Sequence, residues 1–190
     1  MTDGVSPADW FAAEFLRFVL HQHGAEHAPL VKALYASNFV EAMPQLSKYV
    51  RRSKGEYADD PIAAEGWAAA NAYTMTMIGE SEEKKREAFL AMGFKEEPAS
   101  VLAKHDAVIF LNRQKILGYK TELGQQEANE LVTKVLAHEC THVVEHMLGK
   151  KIIADFDYKH RFEHPAVERL LADFKRNMGT EFQERYGNFV

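Results

Sequence analysis

The sequence predicts an α+β domain that is mostly helical, with a small sheet and one long helix that carries the chemistry. Three observations predict it. Residues 125–148 keep helical periodicity without interruption up to Gly149. AVIFLN at 107–112 is a short apolar, β-branched run, the best strand candidate in the chain. The first hundred residues carry mainly helical patterns, so the 190-residue chain reads as a single domain, with a helical N-terminal part (1–100) and a second part (101–190) that holds the chemistry.

The bulk composition bounds the class. With 46% hydrophobic and 27% charged residues the chain has the make-up of a globular protein and not of a disordered one. The formal charge is -5 and no basic stripe runs along any predicted helix, which argues against nucleic acid as a partner. The apolar stretch near the start is broken by Glu14 and Arg17 and lacks a basic leader. No run approaches the length of a membrane span, so no membrane partner is expected. Cys140 is the only cysteine, which excludes an internal disulfide and four-cysteine metal sites. A cytoplasmic location is the expectation; export by a route that reads no N-terminal signal stays open.

Taken in order, residues 8–21 read as an amphipathic helix built on Trp10, Phe11, Phe15, Phe18 and Val19. A less regular helical region follows over 28–50, broken near Pro44. RRSKGEYADDP at 51–61 reads as a loop, and the Ala- and Met-rich stretch 62–78 as helix. Ser81 opens a further short helix ending near Gly93. After the strand at 107–112 and a loop punctuated by Gly118 and Gly124 comes the long helix. KIIADF at 151–156 is a second strand candidate. Pro165 suits the first turn of a last helix whose apolar face is Val167, Leu170, Leu171, Phe174 and Met178.

The long helix contains His138-Glu139-Cys140-Thr141-His142, an H-E-x-x-H pattern. On a helix, positions i and i+4 share one face, so the two imidazoles can converge on one tetrahedral zinc. Glu139 falls about 100° round the helix, beside the metal, where a general base can act on water. Leu131, Val135, Val143 and Val144 supply the apolar surface that buries such a helix. Cys140 points away from His138 and reads as core. The bland alternative is a helix with surface histidines and an ordinary glutamate; apolar residues flanking both histidines weigh against it.

A third ligand is not on the same helix. His146 lies eight residues past His138, about 12 Å along the axis at 1.5 Å per residue, too far for one ion. Glu145 also continues that face. The longer H-E-x-x-H-x-x-G-x-x-H pattern fails, with Glu145 in the glycine position and Leu148 in the third histidine position. The candidates lie downstream: Asp155, Asp157, His160, Glu163, His164 and Glu168. For His164 the plain reading is a helix cap before Pro165, and for Glu168 a solvated face residue. The His21, His23 and His27 cluster reads as a solvated helix end, and Met75 and Met77 beside Tyr73 and Trp67 as ordinary packing.

Over about residues 107–175 the chain resembles the zincin metallopeptidases, in which a strand along the cleft precedes an H-E-x-x-H helix. LAHECTHVVEH is similar to the active-site helices of bacterial zincin domains. The resemblance implies that His138 and His142 bind Zn2+ and that Glu139 is the catalytic base and proton shuttle. In the gluzincin group a glutamate about twenty residues after the second histidine completes the site. By that rule Glu163 is the first choice for third ligand, with His164 and His160 as alternatives. Zincins also use a Tyr or His to bind the developing oxyanion, a role open to Tyr158 or His160, for which the plainer reading is a loop aromatic packed on the core. The expected activity is zinc-dependent hydrolysis of peptide bonds, with a peptide or protein substrate added to the edge of the strand at 107–112. The alternative is a non-catalytic zinc-binding regulatory or interaction protein on the same scaffold.

Overall fold

The computed structural model describes residues 6–53, 64–153 and 164–189. Helix α1 (Pro7–Gln22) leads into strand β1 (Val31–Ala36), then α2 (Phe39–Ser53), α3 (Ala64–Ala69) and strand β2 (Ala72–Thr76). Helices α4 (Glu82–Ala91) and α5 (Glu96–Leu102) precede strand β3 (Ala107–Asn112). The chain ends with α6 (Arg113–Leu123), α7 (Gln125–Leu148), α8 (Pro165–Met178) and α9 (Glu181–Tyr186). Among the described residues no helix is long and apolar enough to cross a membrane.

The three strands form one sheet in the order β1-β3-β2, with β1 parallel and β2 antiparallel to β3. Side chains alternate across a strand, and here both faces are covered. Ala107, Ile109 and Leu111 point into a core shared with α1, α7, α8 and α9. Val108 and Phe110 point into a second core with Phe39, Met43, Trp67, Phe89 and Met92 from α2 to α4 and the turn after it. All six residues of β3 are therefore buried, which is why that run is continuously apolar instead of alternating. The first core is centred on Phe11, whose ring meets Phe15, Phe174, Phe182, Tyr186 and Phe189 at centroid distances of 5.4–6.4 Å.

Polar groups fix the joints between layers. Ser6 caps α1 and forms a capping box with Asp9. The buried Asp9 carboxylate also accepts from Lys32 Nζ and the Ala33 amide, both at 2.7 Å, and so pins α1 to β1. On the other face Lys85 reaches Asp106 at 3.1 Å, at the start of β3.

The long helix, the helix opened by Pro165 and the 107–112 strand fall where the sequence puts them, but α9 follows the helix read as the last. Gly149 ends α7 in the left-handed region at φ 60°, and Pro165 opens α8. Elsewhere the structure corrects the reading. The 28–50 region is not wholly helical: it contains β1, and α2 runs through Pro44 instead of breaking there. Among its described residues the 62–78 stretch holds the short α3 and then β2, not one helix. Residues 151–153 are not a strand, and the rest of 151–156 lies outside the described residues. Most consequential, β3 is the central strand and has a partner on each side, so no substrate can add to its edge. The edge beside the long helix is β2.

Candidate metal centre

Helix α7 lies across the sheet with Val132, Leu136, Cys140, Val143 and Val144 buried in the first core. His138, His142 and Glu145, at spacings of four and three residues, form a partly buried stripe along its flank. His138 Nε2 and His142 Nε2 stand 3.0 Å apart. Two nitrogens bound to one tetrahedral zinc at about 2.0–2.1 Å would be separated by about 3.3 Å. The pair is thus already converged to within a few tenths of an ångström of ligand spacing. Burial, with the neighbouring His142 and His164, holds His138 down at about 4 against the opposing pull of Glu145. Its imidazole is neutral near pH 7, the form that donates to a metal.

His142 is held from its other side. Its Nδ1 lies 3.1 Å from Glu145 Oε2. The other carboxylate oxygen, Oε1, accepts the backbone N–H groups of Ile152 and Ile153, both at 2.7 Å. Burial pushes the Glu145 carboxyl up, but these amides and His142 outweigh it and the net shift is downward. A carboxylate behind a ligating histidine is the usual means of fixing its tautomer and ring plane. Sequence reasoning placed Glu145 on the right face without giving it this role; the i,i+3 spacing from His142 is the signal.

Glu139 is turned toward the sheet. Its Oε2 accepts a short hydrogen bond from Thr74 Oγ1 in the middle of β2. Burial raises the Glu139 carboxyl above its ordinary range, while His142 and the Thr74 hydrogen bond act in the opposite direction. Thr74 was missed because its stretch reads as helix. The alternation of Ala72, Thr74 and Thr76 with Tyr73, Met75 and Met77 is the strand signal that could have found it. Cys140, next to Glu139, is fully buried, and burial pushes its thiol up, so it is core and no nucleophile.

Of the downstream candidates, His164 is the one the described residues bring to the site. It occupies the N-cap of α8, but its side chain makes no capping hydrogen bond. Its ring lies beside His138 instead, with centroids 4.8 Å apart. Glu168 is exposed on α8 and His146 is exposed on α7. Asp155, Asp157, Tyr158, His160 and Glu163 lie outside the described residues. Among the described residues no three His, Cys, Asp or Glu side chains are grouped so that together they could hold a metal ion. Two nitrogens converge, and a third imidazole stands one ring away. The donor chemistry fits zinc: two converging imidazole nitrogens, a carboxylate behind one of them, and a partly buried carboxylate to the side.

The edge strand completes the picture. The Met77 N–H bonds Asp106 O and the Asn112 N–H bonds Asn71 O. With the antiparallel register, residues 71, 73, 75 and 77 therefore direct their backbone groups toward β3. Ala72, Thr74 and Thr76 direct theirs outward, and among the described residues these groups have no backbone partner. The open edge thus runs past the residue that holds Glu139. Comparison with protein-family models, curated proteins and solved structures finds no match to this chain.

Proposed function

We propose that this chain is a zinc-dependent peptidase, with His138 and His142 as metal ligands, His164 as the third, and Glu139 as general base. The observation that carries the reading is the joint geometry of the motif helix. The two Nε2 atoms meet 3.0 Å apart, while the carboxylate between them in sequence is held beside the edge strand by Thr74.

When bound, zinc supplies Lewis acidity that polarises a carbonyl and lowers the pKa of water toward 7. The chain supplies the rest. The raised carboxyl of Glu139 takes a proton from the attacking water and returns it to the leaving amine. Thr74 holds that carboxylate through Oε2 and leaves Oε1 for water. The outward backbone groups of Ala72, Thr74 and Thr76 can pair with an extended peptide, laying its carbonyls alongside α7. This moves substrate binding from β3, where the sequence puts it, to β2. A folded protein offers few extended segments for such pairing, so peptides and unfolded chains are the expected substrates.

The test is cleavage of an unstructured polypeptide by the zinc-loaded protein and by Glu139→Gln. The amide keeps size and hydrogen bonding but removes the base, so the variant retains zinc and loses about 10²–10⁴-fold in rate. Equal rates in the two proteins would overturn the mechanism. Zinc uptake without cleavage in either would favour a binding or regulatory role instead.

A further inference from the structure

We propose that Glu145 is a positioning residue that sets the metal-binding tautomer of His142 and ties it to the point where the chain leaves α7. This rests on the zinc reading above and assigns a role to a residue outside its ligand and base set.

The argument starts from donors and acceptors. An ionised carboxylate only accepts hydrogen bonds. Glu145 Oε2 faces His142 Nδ1 at 3.1 Å, so that nitrogen must carry the proton. In the neutral ring this leaves the lone pair on Nε2, the atom that faces His138 Nε2. The carboxylate therefore selects the tautomer that can ligate and aims the lone pair at the shared position.

The same side chain does a second thing. Its Oε1 accepts from the consecutive amides of Ile152 and Ile153, and its own backbone carbonyl accepts from Gly149 and Lys150. His164 heads α8, the next described element. One carboxylate thus fixes a ligand on α7 and the backbone just past the end of that helix. The Glu145 side chain is 17% exposed and the His142 side chain 39%, so the two backbone amides, more than exclusion of water from the pair, hold the carboxylate in place.

Glu145→Gln separates the two jobs. The amide oxygen can still accept from Ile152 and Ile153, because an NH₂ facing those amides would set donor against donor. The NH₂ must then face His142, which needs an acceptor at Nδ1 and moves the ring proton to Nε2. The clamp survives and the tautomer inverts. Glu145→Ala loses both.

The experiment measures ¹⁵N-histidine NMR of the metal-free protein and zinc affinity by chelator competition, for wild type, Glu145→Gln and Glu145→Ala. The expected result is an Nδ1–H ring at His142 in the wild type and an Nε2–H ring in Glu145→Gln. Zinc affinity falls about 10–100-fold in that variant although it stays folded. Should neither variant fold, the wild-type spectrum alone decides, since an unprotonated Nδ1 at His142 overturns the proposal. A Gln variant with wild-type tautomer and affinity also overturns it, and shows that Glu145 only clamps the backbone. Failure of the wild type itself to take up zinc sinks the zinc reading and this proposal with it, an outcome distinct from the others.

Discussion

The Thr74 hydroxyl donates to the carboxylate of Glu139, joining the middle of the edge strand to the centre of the motif helix. This one contact fixes the spacing between the base and the sheet edge that, among the described residues, is left open beside it. Thr74→Val keeps the β-branched shape and removes the donor. Zinc content and fold should be unchanged, while kcat falls by about tenfold or more because the carboxylate is no longer held in one orientation. Unchanged kcat would show that Glu139 needs no partner on β2.

Proline substitutions along β2 test the edge itself. The Thr76 N–H points outward and is not used by the sheet, whereas the Met75 N–H bonds across to β3. Thr76→Pro should therefore stay folded and bind zinc but show a raised KM for an extended peptide. Met75→Pro should unfold or lose much of its stability, since it breaks a ladder bond and removes a core side chain. A Thr76→Pro variant with wild-type KM would remove strand addition at β2 from the account.

The third ligand can be assigned by alanine substitution. His164→Ala should weaken zinc binding by orders of magnitude, as expected for loss of one of three ligands, and Glu168→Ala should do almost nothing. Glu163→Ala and His160→Ala belong in the same chelator-competition series. If Glu163→Ala is the damaging change and His164→Ala is silent, the gluzincin arrangement holds in place of the three-histidine one.

The aromatic core makes a prediction independent of metal. Phe11 is fully buried and meets five other aromatic rings from α1, α8, α9 and the C-terminal residues. Phe11→Ala should cost about 3–5 kcal/mol, read as a shift in the denaturant midpoint. A loss below about 1 kcal/mol would mean that this cluster is not the joint between the termini and α7.

How far the sequence revealed this site follows from periodicity. A 24-residue helix with a glycine stop repeats its signal over many turns, so α7 and its histidines were legible. β3 was legible as a strand because burial on both faces made it continuously apolar, yet its central place was not, since strand order is set by partners distant in sequence. β1 and β2 have only six and five residues, and helices cover both faces of the sheet. β1 therefore lacks the apolar–polar alternation of a half-exposed strand, and in β2 the alternation spans only Ala72 to Met77, too short to outweigh the Ala- and Met-rich helical pattern around it. Losing β2 meant losing Thr74. His164 was legible only as one of several downstream candidates, because Pro165 marks where α8 begins but not what its first residue faces.

The central claim is that His138 and His142 hold one zinc ion. Metal analysis of the protein after zinc loading and desalting, with His138→Ala and His142→Ala beside it, tests that claim most directly. The account predicts about one zinc per wild-type chain, as a three-ligand site implies, and essentially none in either variant while both remain folded. Equal zinc content in wild type and both variants, or none in the wild type, would contradict it.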